Sequence, residues 1–198
     1  LDGGTGKSRW QMARKEKSTW ATPFVWKHGQ RTEIVVAGKN ENRAYSLDGE
    51  LLWHFNGKMS VLTIPSPFAV DGLLYITSGY FQDPKRPVFA IRPGARGDFT
   101  LAAGQTSNEF IRWSLQRTGP YNTSPIVYRG LYFTLLDRGM ATCHDSATGA
   151  VVYNRTRSKA EELAARPQGL GARLEAGRKP GVAGLALYSL GQSHCAEE

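Results

Sequence analysis

Cysteine is almost missing from this 198-residue chain: Cys143 and Cys195 are its only two, and no C-x-x-C spacing occurs. That excludes a disulfide-built scaffold and gives no metal-knuckle or dithiol redox motif. No apolar run approaches the roughly 18 residues that a membrane helix needs. No charged, apolar and small-residue leader stands at the N-terminus. Leu1 already lies inside a recurring motif and is not an initiator Met, so the chain is expected to be part of a longer protein. The four histidines, His28, His54, His144 and His194, show no pairing at metal-ligand spacing on one element, so no zinc site is expected. Helical periodicity is also missing before Arg157.

The formal charge is +8, and all of it lies before Ser158. Lys and Arg are scattered there, densest at Arg14, Lys15 and Lys17 around Glu16, which reads as a solvated loop. Nucleic-acid recognition needs a stripe of positive charge on one face. Such a stripe is not visible along the sequence, and no nucleic-acid partner is expected.

Glycine, tryptophan and turn dipeptides are plentiful. Turn signals fall at His28-Gly29, Asp48-Gly49, Asp71-Gly72, Arg129-Gly130, Arg138-Gly139 and Thr148-Gly149. Asp-Gly between apolar runs favours a hairpin, because Gly accepts the positive φ of tight turns. Between these turns lie short strand-like runs that group in fours, each group an antiparallel meander.

A three-part pattern recurs over these groups. An Asp-containing turn leads to an aromatic residue: Asp2-Gly3-Gly4-Thr5-Gly6-Lys7-Ser8-Arg9-Trp10, Asp48 to Trp53, and Asp145-Ser146-Ala147-Thr148-Gly149 followed by Tyr153. A copy without Asp runs from Asn108 to Trp113. After the first three aromatics come a small residue and proline: Thr22-Pro23, Ser66-Pro67 and Ser124-Pro125. Short strands repeating every 40 to 60 residues or so indicate a propeller-like array. The expected fold is all-β: an incomplete β-propeller of about three four-stranded antiparallel blades, plus one extra outer strand over Lys7 to Ala13. The second blade carries two insertions, Tyr80 to Pro87 and Pro93 to Asn108, expected as loops.

Residues 1–157 form the expected propeller fragment, and residues 158–198 an atypical tail. Ala, Gly, Leu, Arg and Glu dominate the tail, where Tyr188 is the one aromatic. A mobile tail, a genuine extension and a shifted reading frame all fit, the last being preferred.

The run Asp2 to Trp10 resembles the tryptophan-docking motif of pyrroloquinoline quinone (PQQ)-like β-propeller repeats, with degenerate copies at Asp48 to Trp53 and Asp145 to Tyr153. The resemblance covers about residues 1–157. It implies that Trp10, Trp53, Trp113 and Tyr153 lie on outermost strands and pack between neighbouring blades. Asp2, Thr5, Gly6, Asp48, Asp145, Thr148 and Gly149 would then shape the turns. Asp and Thr side chains satisfy backbone donors locally in such turns.

The family has a catalytic branch, in which PQQ sits beside a calcium ion held by acidic and Asn side chains, often against a Cys-Cys pair. It also has a non-catalytic branch resembling the outer-membrane assembly scaffold. Cys143 is followed by His144, and no Cys-Cys pair exists, so the scaffold branch is preferred and no cofactor is expected. The alternatives are a fragment of a quinoprotein dehydrogenase, with PQQ and calcium, and the sensor propeller of a multidomain protein. The resemblance implies a protein partner, further blades of the same ring, and a periplasmic or secreted location. An isolated fragment is expected to leave seams and strand edges open and to self-associate.

Other motifs read as structural. Gly3-Gly4-Thr5-Gly6-Lys7-Ser8 lacks the glycine that a phosphate loop needs at Leu1. Asp137-Arg138-Gly139 reads as a turn, and the sequons at Asn122 and Asn154 as chance matches. The loop holding Tyr80, Phe81, Lys85 and Arg86 combines aromatics, cations and rigid turns, and is the candidate partner loop.

Overall fold

A computed structural model describes residues 1–154 apart from Ser18 and Gln30, and apart from the side chains of Arg138, Tyr153 and Asn154. The tail 158–198, with Cys195, lies outside the described residues. The described chain is all-β, with a single 3-10 turn at Asp137–Gly139. No described helix is long and apolar enough to cross a membrane.

The chain divides into two compact units, Leu1–Ser124 and a second beginning at Pro125. The first unit holds two antiparallel meanders. One is β1 (Phe24–His28), β2 (Arg31–Val36), β3 (Asn42–Tyr45) and β4 (Leu51–Phe55). The other is β5 (Phe68–Val70), β6 (Leu73–Thr77), β7 (Val88–Ile91) and, after the short β8 (Gly97–Asp98), β9 (Ile111–Leu115). In the second unit β10 (Ile126–Tyr128), β11 (Leu131–Leu136), β12 (Met140–Asp145) and β13 (Val151–Asn154) form the third meander.

Each meander opens directly after a Ser/Thr-Pro step, where proline presets φ and the residue before it is held extended. The turns Asp71-Gly72 and Arg129-Gly130 adopt positive φ at both residues, at 51° and 76° and at 51° and 75°. That is the hairpin geometry matching strand twist.

The three sheets share one irregularity. Trp53 stands opposite Ala44, Trp113 opposite Ala90 and Tyr153 opposite Cys143. In each pair the register shifts immediately afterwards, between Ala44 and Tyr45, between Ala90 and Ile91, and between Cys143 and His144. A bulge at this place adds local twist to the outer strand next to its aromatic.

The core of the first unit is built from both of its sheets. Trp26, Val35, Trp53 and Phe55 of one join Leu74, Ile76, Phe89 and Ile111 of the other. Phe55 and Phe89 meet edge to face at 5.0 Å, a geometry contributing about 0.5–1.5 kcal/mol beyond area burial.

The insertion Pro93 to Asn108 is more than the loop expected from sequence. Its strand β8 pairs in parallel with β4, Trp53 opposite Gly97 and His54 opposite Asp98, giving the first sheet a fifth strand. Phe99 of the same insertion stacks on Phe55 at 5.0 Å and tilts against Trp53 at 5.4 Å. Burial of Phe99, together with main-chain pairing, is what draws the loop onto the neighbouring sheet.

The segment Lys7 to Ala13, expected as an extra outer strand, has no strand partner among the described residues. A strand exists through its ladder, and this segment is held instead by the Trp10 side chain.

Candidate functional site: docking turns and a stitched loop end

Two turns in different units repeat one hydrogen-bond pattern. Asp2 Oδ1 accepts from the amides of Gly4 and Thr5, at 3.2 and 2.8 Å, and from the Thr5 hydroxyl at 2.7 Å. Asp145 Oδ1 accepts from the amides of Ala147 and Thr148, at 3.1 and 2.8 Å, and from the Thr148 hydroxyl at 2.8 Å. The Gly6 and Gly149 amides close the turns onto the Asp2 and Asp145 carbonyls, both at 2.8 Å. The Thr5 bonds hold the Asp2 carboxyl below the usual carboxylate range.

The other two turns use different residues. Around Asp48 the acceptor is the Ser46 hydroxyl, which takes the amides of Asp48 at 3.2 Å and Glu50 at 3.1 Å. The sequence pattern assigns that part to Asp48, and the structure gives it to Ser46. In the copy without Asp, Asn108 Oδ1 accepts the amides of Phe110 and Ile111 at 3.0 and 2.7 Å. An amide or hydroxyl oxygen serves here because the turn requires only a short acceptor two to four residues before the donors.

The aromatics have different environments. Trp10 reaches the next repeat, its Nε1 donating to the Leu47 carbonyl at 2.9 Å. Trp53 is fully buried and donates to Glu33 Oε2 at 2.6 Å. Glu33, also fully buried, accepts on Oε1 from Arg31 at 2.5 Å and contacts His28 Nε2 at 2.9 Å. Arg31 continues to the Ala95 carbonyl in the insertion. Trp113 is buried, its ring 6.0 Å from Tyr75. Tyr153 takes its place on β13 opposite Cys143, and its side chain lies outside the description. Glu33 is absent from the residues the sequence singles out, because it follows Arg31 and Thr32 at the polar start of its strand; its one sign is that it shares a strand face with Val35.

In the second unit His144 is buried on β12, Nδ1 at 3.2 Å from the Gly149 carbonyl and Nε2 at 3.2 Å from the Thr142 hydroxyl. Burial lowers its pKa, with the Gly149 carbonyl acting against the shift. Cys143 is a free, buried thiol pushed up to about 12 by burial and by Asp145.

The candidate partner loop belongs to a larger assembly at one end of the first unit, where three connections are stitched together. The Trp20 amide donates to the Thr63 carbonyl at 2.9 Å, and the Ser60 amide to the Ser78 hydroxyl at 2.9 Å. Asp83 takes the amides of Val61 and Lys85, both at 2.9 Å. Burial opposes ionisation of Asp83, yet these amides outweigh it and hold its carboxyl below the ordinary range. A Cβ placed on Gly79 would strike the Gly119 carbonyl, so only glycine permits these two loop backbones to approach so closely.

On this frame Tyr80 packs against Phe81 at 5.0 Å and Tyr121 at 5.2 Å. Arg86 is half-buried and anchors the loop through its backbone, the Gly119 amide donating to its carbonyl at 2.8 Å. Lys85 is exposed. Trp20, Val61 and Phe81 remain 57%, 45% and 49% exposed on the same frame. Large apolar side chains held out by rigid hydrogen-bonded loops are suited to contact with a partner.

A four-stranded meander with a docking turn, and an outer aromatic beside a bulge, recurs three times here. Repeated four-stranded antiparallel meanders of this kind are the content of propeller blades. No protein-family model matches the chain, and no curated protein does. Among solved structures it is similar to a europium-containing methanol dehydrogenase, at 13% identity and a TM-score of 0.49, over 70% of this chain and 24% of that one. It is also similar to BamB from Moraxella catarrhalis, at 12% identity and a TM-score of 0.37, over 78% of this chain and 53% of that one. The chain thus spans less than two thirds of either structure.

The catalytic branch of the resemblance would require a calcium ion beside PQQ. Among the described residues, no three His, Cys, Asp or Glu side chains converge in a way that holds a metal ion.

Proposed function

We propose that this chain is part of a PQQ-like propeller that works as a non-catalytic scaffold or protein-binding module, periplasmic or secreted. The observation that carries this reading is the stitched loop end. Trp20, Val61 and Phe81 are held out to solvent by backbone bonds that cross from loop to loop. Ordering has already been met in the free protein, so a partner gains contact area at small entropic cost. Further blades of the same ring, and a protein bound at this end, are its partners in this reading.

The test is a titration of the chain, and of the longer protein containing it, with PQQ and calcium, followed by dye-linked alcohol oxidation. A scaffold shows neither calcium-dependent PQQ binding nor turnover. Saturable binding with turnover replaces this reading with a quinoprotein dehydrogenase.

A further inference from the structure

The loop end has a second property, its charge. Strand order puts the connections 37–41, 56–67, 78–87 and 116–123 on one end of the two sheets of the first unit. Segment 15–16 is tied to the first of them, Asn40 and Glu41 donating to Glu16 at 3.0 and 2.8 Å and Asn40 to the Lys15 carbonyl at 3.0 Å. Lys15, Lys17, Lys39, Lys58 and Lys85 all sit here, and all but the half-buried Lys39 are exposed.

Three carboxylates lie at this end, Glu16, Glu41 and Asp83. Glu16 gives both oxygens to backbone amides, as does Asp83, and Glu41 pairs with Arg43 at 2.5 Å. The salt bridges among the described residues engage none of the five lysines. Glu16 and Asp83 keep their charges, that of Asp83 within reach of Lys85, so two carboxylates stand against five lysines and net positive charge remains around the exposed apolar side chains. Such a field raises the encounter rate with an oppositely charged partner, while buried apolar anchors supply affinity.

We infer that this end of the first unit binds an acidic polypeptide segment, with Asp or Glu flanking an apolar side chain that packs among Trp20, Val61 and Phe81. The inference rests on the protein-binding reading above and names the chemistry of the partner. The Tyr80 ring is enclosed by Phe81 and Tyr121, and Val61 is aliphatic. The cluster thus lacks the row of open ring faces on which single-stranded bases stack, which favours a polypeptide over a nucleic acid.

Fluorescence anisotropy on the whole chain tests this with three labelled probes: a short Asp/Glu peptide with a central Phe, its Lys/Arg counterpart, and oligothymidylate. The acidic peptide should bind, and should weaken steeply as ionic strength rises from about 50 to about 300 mM. Trp20→Ala with Phe81→Ala should weaken it by about 10-fold or more. Lys58→Glu with Lys85→Glu should do likewise and flatten the salt dependence, with β-sheet circular dichroism unchanged in both variants. Equal binding of the acidic and basic peptides, indifference to both pairs of substitutions, or tighter binding of oligothymidylate overturns the inference. A failed acidic probe without PQQ binding removes only this partner class, whereas calcium-dependent PQQ binding removes the underlying reading as well.

Discussion

Trp10 and Gly49 are in direct apposition. Gly49 adopts φ of +90°, and a Cβ built on it would lie 2.7 Å from Cδ2 of the indole. The aromatic of one repeat thus lies on the turn of the next, fixed by its bond to the Leu47 carbonyl. The contact requires two things of residue 49, a left-handed backbone and no side chain.

Gly49→Ala is accordingly expected to destabilise the first unit by about 1–3 kcal/mol, the sum of backbone strain and displacement of Trp10. Denaturant unfolding followed by Trp fluorescence measures it. In a Trp10→Ala background the same change should cost only the strain, about 1 kcal/mol. An equal cost in both backgrounds would show that the apposition carries no energy.

Glu33 is the acceptor for His28, Arg31 and Trp53 in a fully buried site. Glu33→Ala leaves the buried Trp53 N–H without its acceptor and removes the carboxylate from Arg31, which keeps the Ala95 carbonyl, and should cost about 1–3 kcal/mol. Glu33→Gln keeps one carbonyl oxygen and should cost less. Thermal unfolding of the two variants in parallel checks the order, and an alanine variant as stable as the glutamine one would contradict it.

Cys143 should be inert in the native protein. Its thiol is buried and pushed up to about 12, so almost no thiolate exists near neutral pH. Iodoacetamide at pH 8 followed by peptide mass mapping should leave Cys143 unmodified until denaturant is added. Labelling at a rate near that of a free thiol would show that β12 opens in the native state.

His144 predicts a pH dependence of the second unit. Burial lowers its pKa from 6.5, so just below that value the unfolded chain binds more protons than the folded one. Its stabilising contribution is present above about 6.5 and declines as pH falls through this region. The denaturant midpoint at which Cys143 becomes reactive to a methanethiosulfonate reagent should fall between pH 7.5 and 5.5. His144→Gln should flatten that slope, and an unchanged slope would remove His144 as its cause.

Much of the fold was legible because propeller blades are made of local signals. Thr22-Pro23, Ser66-Pro67 and Ser124-Pro125 each precede the first strand of a sheet by one residue. Asp-Gly turns are decided within four residues, and so is the Asp-to-Thr bond of the docking turn. The loop of Tyr80, Phe81, Lys85 and Arg86 stood out by composition alone. Its framework did not, because Trp20, Val61 and Gly119 come from three other segments of the chain.

The sequence by itself determined the twelve strands of the three meanders, the left-handed turns at Asp71-Gly72 and Arg129-Gly130, and which aromatics recur. Those properties are set by sterics and hydrogen bonds between near neighbours. Only the tertiary structure decided that Ser46 and Asn108 do the work of the motif Asp, and that Glu33 is buried beneath Trp53. It also decided that Gly97 and Asp98 join a sheet their neighbours do not belong to. For Glu33 and the strand at Gly97 and Asp98 the choice depends on which groups from distant segments meet, whereas the Ser46 and Asn108 bonds are local and differ from the motif only in the residue that supplies the oxygen. The same acceptor or strand is satisfied by several residue types, so no single position announces the outcome.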